Sequence, residues 1–365
     1  MRADRLFFPA AAAWALASVP LWVATLSGWL HPRSPQQHAH ELLFGYGLLV
    51  VAGYLIGRAR SGVLAVLLCA WLAARIAPWW TDIAGAAAAL PGLAFSLGVA
   101  LLTAWPFLRA AKKVENRVFG PVLLAFFACD AVYQAGVVLH RPALQSAALS
   151  ITVDAFALLL AMMGGRVLPA AVAGHYYRRG RVLQDRVQPA LERVVIAAML
   201  AMIACEMFPA TRTLAGAFAV IASAATALRA YRWRLWTVFD VPHLWSLGLG
   251  YAWLVPGLAL KAHALLSAGA ATGHSQHALT IGALGTMTLV MMGRTRLQRS
   301  KQPLNRFGDI AAAAVLLAVA ALARLAAPAL APHTLAALWL SALAWSAAFA
   351  LLLRRLLAPG ARDAE

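Results

Sequence analysis

Charged residues are scarce in this sequence. They make up 12% of its 365 residues, and only 13 residues are Asp or Glu. Because an average soluble domain carries roughly 25% charged residues, this shortage excludes an ordinary water-soluble fold. Long soluble segments are missing too, since no break between the apolar runs is long enough to form a separate domain.

Cysteine is also rare. Cys69, Cys129 and Cys205 stand singly inside apolar runs, without the CxxC spacing of a thiolate metal site. The pattern implies neither a disulfide framework nor a zinc site. The simplest interpretation is that these cysteines act as small apolar residues in buried positions.

What the sequence has in abundance is apolar residues, which make up 62% of the chain and come in runs of about twenty. A helix of that length crosses a hydrocarbon core of roughly 30 Å. We therefore predict an all-α polytopic transmembrane helical bundle that forms a single domain over residues 1–365. We expect about twelve spans, near residues 6–30, 41–57, 62–77, 83–108, 118–139, 145–164, 190–208, 213–230, 243–266, 276–293, 308–327 and 332–353.

The first apolar run resembles a signal peptide, because Arg2 and Arg5 precede it. The run continues to Leu30, however, which is too long for the apolar region of a typical signal peptide. We predict that it is retained as the first span.

The net charge of +18 suggests nucleic acid binding at first sight. The basic residues, however, lie in alternate breaks between the spans, 24 on the side of the termini and six on the other. Cytoplasmic loops of membrane proteins are enriched in Lys and Arg. The pattern thus predicts a multi-pass protein with both termini in the cytoplasm, with a lipid bilayer as its surroundings and no nucleic acid partner. The six basic residues on the opposite side are Arg33, Arg75, Arg141, Arg212, Lys261 and Arg324.

The histidines follow the opposite bias. With this orientation, eight of the ten lie at the outer ends of spans or in outer loops. Neutral imidazole is a common ligand of copper, zinc and haem iron. The outer histidines are therefore candidate ligands: His31, His38, His40, His140, His263, His274, His277 and His333.

The first cluster of candidate metal ligands is His38 and His40, which enter the second span just before Glu41. Residues two apart point to different faces of a regular helix. The two imidazoles can therefore converge on one ion only if the chain before Glu41 is irregular.

The second cluster is His274 and His277, whose spacing of three places them on one helical face at the entry to the tenth span. His263 near the outer end of the ninth span is expected to come close to His277 through a short loop. We predict a pocket between spans two, nine and ten that includes His40, His263 and His277. The alternative for each histidine is an interfacial residue that hydrogen-bonds a lipid headgroup or a backbone carbonyl.

Acidic residues inside the spans are a separate signal. Asp130, Asp154 and Glu206 lie within apolar runs, and intramembrane acids often mark a proton or solute pathway. Asp130 precedes Tyr133 by three residues, which predicts that both side chains share a face. A neutral acid that hydrogen-bonds between helices and a proton relay are both open. A secondary transporter of a metal or small solute is therefore the alternative function.

Three segments together resemble the NnrS family. His38-Ala39-His40-Glu41-Leu42-Leu43-Phe44-Gly45-Tyr46 is similar to its HxHEMxFG signature. Gly164-Gly165-Arg166-Val167-Leu168-Pro169 is similar to its GGRVxP motif. His277-Ala278-Leu279-Thr280-Ile281-Gly282-Ala283-Leu284-Gly285-Thr286-Met287 is similar to its LHxLTxGxxGxM motif. The segments occur in the family's order between residues 6 and about 305.

The resemblance implies a bacterial inner-membrane protein that binds haem and copper and acts in denitrification or in protection against nitric oxide. It makes His38, His40 and His277 candidate haem or metal ligands. His263 and His274 are further candidate metal ligands because of their positions at the outer ends of the ninth and tenth spans. Glu41 would orient an imidazole, as carboxylates near metal sites commonly do. A redox reaction with nitric oxide would require an open coordination position and a redox partner.

Two further roles follow from the resemblance. Gly164 and Gly165 would let backbones pack closely, and Arg166 would pair either with a haem propionate or with a protein carboxylate. The chain departs from the family pattern at Gln37, Gly248 and Arg299. These departures leave open whether fewer cofactors are bound, whether His243 or His263 serves instead, and whether the chain is an assembly partner without chemistry of its own.

The charge pattern makes a topological prediction. A reporter fused after Glu365 should report cytoplasm and one inserted near Gln36 should report periplasm, because 24 of the basic residues lie on the side of the termini. Alkaline phosphatase and fluorescent protein fusions at these two positions measure it. A C-terminus outside the cytoplasm would contradict the orientation and require an odd number of spans.

Overall fold

The structure is a computed structural model that describes residues 1–77, 86–110, 114–267, 272–303 and 307–358. In these ranges the regular elements are helices and no β-strand occurs, which confirms the all-α class. The helices are α1 (Ala3–Leu26), α2 (Pro35–His40), α3 (Leu48–Leu55), α4 (Ser61–Ile76), α5 (Ala86–Ala110), α6 (Val114–Arg117), α7 (Phe119–Val138), α8 (Pro142–Arg178), α9 (Pro189–Glu206), α10 (Arg212–Arg232), α11 (Pro242–Ala252), α12 (Leu254–Leu266), α13 (Gly273–His277), α14 (Thr286–Arg299), α15 (Gly308–Ala326) and α16 (Thr334–Leu357).

Two segments are π-helical, with hydrogen bonds from residue i to i+5. We call Glu41–Gly47 segment π1 and Ala278–Gly285 segment π2. Each continues directly from a short α-helix that ends in a histidine, and each leads directly into another α-helix. Long π-helical stretches are rare and occur frequently at functional sites. Both segments are therefore candidate parts of a functional site.

The described residues pack as two compact units, residues 1–155 and 156–365, with the boundary inside α8. The prediction of a single domain is not tested by this division.

Eight helical stretches are long and apolar enough to cross a membrane, which supports an integral membrane protein. They comprise α1, α5, α7, α8, α10, α11 with α12, α15 and α16. The other four predicted spans correspond to helices that do not meet both criteria: π1 with α3, the short helix α4, α9, and α13 with π2 and α14. The number of twelve spans therefore stays a prediction. The predicted start of the fourth span at residue 83 and the terminal Glu365 lie outside the described residues.

In the first unit, α1 packs against α3 and π1, while α5 packs against α4 and α7. The approach of α1 to α3 requires Gly53, because a Cβ atom there would lie 2.6 Å from the ring of Phe8. The chain enters this region through α2, whose start is well defined. Ser34 caps the helix by accepting a hydrogen bond from the Gln37 backbone N–H, and Pro35 occupies the first turn.

In the second unit, α10 packs against α9 and α12, α11 packs against α14, and α15 packs against α16. Close contact between α11 and α14 depends on Gly250. A Cβ atom on Gly250 would lie 2.9 Å from the backbone nitrogen of Met287 and 2.6 Å from its Cγ. Since the nearest backbone cannot rotate away as a side chain can, the two helices must separate to admit any larger residue.

Replacement of Gly250 by alanine should therefore destabilise the protein. Overpacking of this kind typically costs about 1–3 kcal/mol, which exceeds the gain of up to about 1 kcal/mol from the better helix propensity of alanine. The melting temperature of the detergent-purified protein measures the effect. Gly62→Ala is the matched control, because nothing lies within 4 Å of a Cβ atom built at Gly62. Equal melting temperatures for the two variants would contradict the close contact.

Candidate functional site

His40, the last residue of α2, is buried and held by the acidic residue of a distant helix. Its Nε2 lies 2.9 Å from Oδ1 of Asp130 on α7. The imidazole ring stacks on Tyr133 at a centroid distance of 4.2 Å and an interplanar angle of 11°, and Phe44 lies on it at 4.9 Å. Asp130 and Tyr133 thus share the face that their spacing predicts.

The contact with Asp130 fixes the orientation of the imidazole. An ionised carboxylate only accepts hydrogen bonds, so His40 donates its Nε2–H to Asp130 and keeps the lone pair on Nδ1. Metal-binding histidines commonly have one ring nitrogen held by a carboxylate or a carbonyl while the other binds the metal. The geometry therefore makes Nδ1 of His40 the candidate ligand atom.

Glu41 was expected to orient an imidazole, but its carboxylate contacts a different side chain. Its Oε2 accepts a hydrogen bond of 2.6 Å from Nη1 of Arg75 on α4, and both side chains are buried. The carboxylate that orients the imidazole in this unit is that of Asp130 instead. The physical reason is that Arg75 is itself buried, and an unpaired guanidinium in an apolar interior is costly.

Two tryptophans hold the main chain of π1. Trp14 Nε1 donates to the Glu41 carbonyl at 3.1 Å, and Trp71 Nε1 donates to the Gly45 carbonyl at 2.8 Å. Gly45 makes room for them, because a Cβ atom there would lie 2.6 Å from Trp14 Nε1 and 2.8 Å from Arg75 Nη1. The π-helical turn after His40 is therefore fixed by residues of both α1 and α4.

A cavity of about 40 Å³ lies beside this turn. That volume holds about three water molecules. His38 faces the cavity and stacks on Trp22 with ring centroids 4.7 Å apart, whereas His40 faces α7. Because α2 stays regular through His40, the irregular turn that would bring the two imidazoles onto one ion does not occur before Glu41. The cavity is lined by Trp14, Ser18, Leu21, Trp22, Arg33, Gln37, His38 and Glu41.

His277 in the second unit has a similar arrangement. It is the last residue of α13 and directly precedes π2. Its Nδ1 lies 2.6 Å from the carbonyl oxygen of Gly273. Since a carbonyl only accepts, Nδ1 carries the proton and the lone pair of the neutral ring is on Nε2. Nε2 is therefore the candidate ligand atom of this unit.

The other predicted residues of the second unit have looser surroundings. His274 shares α13 with His277 and is close enough to act on it electrostatically. His263 lies on the exposed face of α12, with Nδ1 3.2 Å from the Ser267 hydroxyl. Arg166 is partly buried on α8, with the charge of Glu192 nearby.

Within either unit, the described residues bring together no group of three or more His, Cys, Asp or Glu side chains that could hold a metal ion. A structural zinc site uses four such ligands. What each unit offers is a motif histidine whose tautomer is set by a protein acceptor. His40 belongs to the first unit and His263 and His277 to the second, and the predicted pocket that joins them stays a prediction.

Two of the three intramembrane acids, Asp130 and Glu206, are held by contacts within their own units. Asp130 binds His40, and Glu206 binds Lys261 of α12 at 2.7 Å. Asp154 is fully buried on α8. Lys261 was predicted near the outer end of the ninth span, and only 3% of its surface is exposed. The ion pair with Glu206 accounts for that burial.

Comparison with known families gives a match over nearly the whole chain. A family model described as NnrS protein matches residues 3–359, nearly the whole chain. This chain belongs to the NnrS family. The resemblance drawn from the three sequence motifs is thereby confirmed, whereas no curated protein matches the chain.

The NnrS glycine motif has a different role from the one expected. Gly164 and Gly165 were predicted to bring backbones together, but the neighbours they admit are side chains. A Cβ atom on Gly164 would lie 2.4 Å from the Tyr251 ring, and one on Gly165 would lie 2.2 Å from Nη2 of Arg229. The two glycines of this NnrS chain therefore accommodate a phenol and a guanidinium against α8.

Arg75 and the two tryptophans are the parts of the NnrS site that the sequence did not reveal. Arg75 was placed near the end of the short third span and counted with the basic residues of the outer side. Its position inside a predicted helix indicated that it needs an acidic partner, because a charge buried in a membrane is costly when it is unpaired. Glu41 is the nearest acidic residue before it in the sequence. Trp14 and Trp71 offered no signal, because tryptophan is common in apolar runs.

Replacement of Arg75 by methionine should destabilise the protein by about 3–5 kcal/mol, because Glu41 would stay buried without a counter-charge. The double variant Arg75→Met with Glu41→Leu should recover a large part of that loss, since it leaves no charge behind. Thermal and denaturant unfolding in detergent measure both effects.

The control is Arg179→Met. Arg179 pairs with Asp240, but both side chains are about half exposed, and exposed pairs contribute at most about 1 kcal/mol. If Arg75→Met and Arg179→Met had equally small effects, the buried pair would not be an important contact.

Proposed function

We propose that this NnrS-family chain is a haem and copper protein of the bacterial inner membrane that acts in the response to nitric oxide. The observation that carries the proposal is the repeated arrangement around the motif histidines. In each unit a histidine ends a short helix, has one ring nitrogen held by a protein acceptor and directly precedes a π-helical segment. Such histidines are suited to bind a metal through the other nitrogen.

The donor set of each unit fits haem iron better than a closed metal site. Haem iron would be held by the porphyrin and would need only one or two ligands from the protein, for which imidazole is well suited. One histidine of fixed tautomer meets that need, whereas a closed site needs about four side chains. A haem would supply an iron centre that binds nitric oxide or transfers an electron, and copper would supply a second redox metal.

The residues of the chain perform the supporting tasks. Asp130 accepts the proton of His40 Nε2 in a hydrogen bond and thereby leaves Nδ1 as the nitrogen that would bind a metal. Tyr133 and Phe44 restrict the rotation of the ring by stacking on it. Gly273 sets the tautomer of His277 in the same way through its carbonyl.

His38, His263 and His274 are further metal ligands in this proposal, and Arg166 is a partner for an anionic group of the cofactor. The partly polar cavity next to His38 supports a role for that residue outside simple packing. The cofactor set implies a redox partner in the membrane or the periplasm.

The secondary transporter is the weaker candidate. It relied on Asp130, Asp154 and Glu206 as parts of a pathway. Asp130 and Glu206 are each held by a basic or imidazole side chain of their own unit. A proton path through these residues would have to break those contacts, which are expensive to lose in an apolar interior.

The cofactor assignment is tested on the purified protein. Optical spectra and metal analysis in detergent should show a haem Soret band and copper in the wild type, and His40→Ala and His277→Ala should each reduce the content strongly. Asp130→Asn should weaken cofactor affinity by about 10–100-fold, as is typical when the partner of a ligating histidine is lost.

His333→Ala is the control, because His333 is exposed at the start of α16. Its cofactor content should equal that of the wild type. Equal content in all four variants would contradict the ligand assignment, and a wild type without haem or copper would contradict the proposed function itself.

A further inference from the structure

Arg229, near the end of α10, is a deeply buried cation that the proposed function does not use. Only 2% of its surface is exposed. Its Nε and Nη1 atoms have no hydrogen-bond partner among the residues that the structure describes. Buried N–H groups without acceptors are expensive, because they have lost their hydration without gaining a hydrogen bond in the protein.

Two more polar groups that lack a hydrogen-bond partner within the described ranges lie on the same face as Arg229. Thr226 and Trp233 lie three residues before and four residues after Arg229, so the three side chains share one face of the helix. Trp233 is 1% exposed, and Thr226 is completely buried. Neither Nε1 of Trp233 nor Oγ1 of Thr226 has a partner in the described part of the chain.

Tyr251 of α11 completes the cluster. Its ring lies 5.3 Å from that of Trp233, and its hydroxyl is near the guanidinium without a hydrogen bond of ordinary geometry. Gly164 and Gly165 form the opposite wall, because the phenol and the guanidinium lie where their Cβ atoms would be. The second motif of the family is thus the surface on which this cluster rests.

The missing partners are acceptors. Guanidinium and indole nitrogens can only donate, while the threonine and tyrosine hydroxyls can do either. The ring of Trp233 lies 4.9 Å from Cζ of Arg229 and offsets part of the cost through a cation–π contact. That contact uses the face of the guanidinium, however, and leaves the N–H groups of Nε and Nη1 without acceptors among the described residues.

Glu192 is the carboxylate that acts on both Arg166 and Tyr251. It does not accept a hydrogen bond from Nε or Nη1 of Arg229. A single monovalent anion would provide the missing acceptors and also offset the charge of the guanidinium.

We propose that Arg229, Trp233, Tyr251 and Thr226 form a buried binding site for a small oxyanion of the size of formate or nitrate. The site lies toward the predicted cytoplasmic end of α10, so the anion enters from that side. A free ion suits it better than a lipid phosphate, because all four side chains have at most 2% of their surface exposed.

Sodium formate is the probe. The full-length protein is purified in a maltoside detergent without phosphate, and its melting temperature is measured while formate replaces bulky gluconate at constant ionic strength. A ligand that binds only the folded protein stabilises it in a saturable way, so the melting temperature should rise and then level off. Arg229→Met should abolish the rise, and without formate it should be at least as stable as the wild type, because a buried charge has been removed.

Arg232→Met is the matched control, since Arg232 is exposed on the same helix, and it should keep the full response. Trp233→Phe keeps the aromatic face but removes one donor, so it should weaken formate binding on the order of tenfold. If Arg229→Met does not fold, the formate response of Trp233→Phe tests the proposal in its place.

Three results would overturn the proposal. The first is a wild-type melting temperature that formate does not change, which would mean that water alone fills the site. The second is an equal rise in Arg229→Met and the wild type, which would be a general salt effect. The third is a rise that appears only when phospholipid is added, which would assign the site to a lipid phosphate.

Discussion

The buried ion pair between Glu41 and Arg75 is the contact on which the surroundings of His40 depend. Glu41 directly follows His40, so any movement of its side chain displaces the imidazole. Trp14 and Trp71 hold the same turn through its carbonyl groups, and Asp130 holds the ring itself. Three helices, α1, α4 and α7, therefore meet at one turn. In an apolar environment these polar groups have no water as an alternative partner, and the arrangement is correspondingly rigid.

The two π-helical segments share more than their position after a histidine. In both, a glycine follows the histidine by five residues: Gly45 after His40 and Gly282 after His277. A Cβ atom on either glycine would collide with an indole, that of Trp14 in the first unit and that of Trp253 in the second. In each π-helical segment, a tryptophan thus packs closely against the glycine. The repetition indicates that the geometry itself, and not one accidental irregularity, is what the two histidines require.

Charges are satisfied differently in different parts of the molecule. The pairs His40 with Asp130, Glu41 with Arg75, and Lys261 with Glu206 are each complete within a single unit. Arg229 is an exception among the buried basic residues that the structure describes, because two of its nitrogens have no protein acceptor. Its neighbours Trp233 and Tyr251 also have side-chain polar atoms without a hydrogen-bond partner among the described residues. A protein that pairs its other buried charges so closely would be expected to pair this one with a ligand.

The sequence by itself determined the helical class, the family and the motif histidines, because these depend on local composition and on short motifs. It also placed Asp130 and Tyr133 on one face, since helical periodicity is a local property. It did not determine which groups meet. Asp130 is 90 residues from His40 and Arg75 is 34 residues from Glu41, so only the packing of distant helices brings them together. The same applies to Arg229, which the charge pattern places with the cytoplasmic basic residues. Its burial against Gly165 is decided by the tertiary structure alone, because periodicity indicates a face and does not indicate what that face contacts.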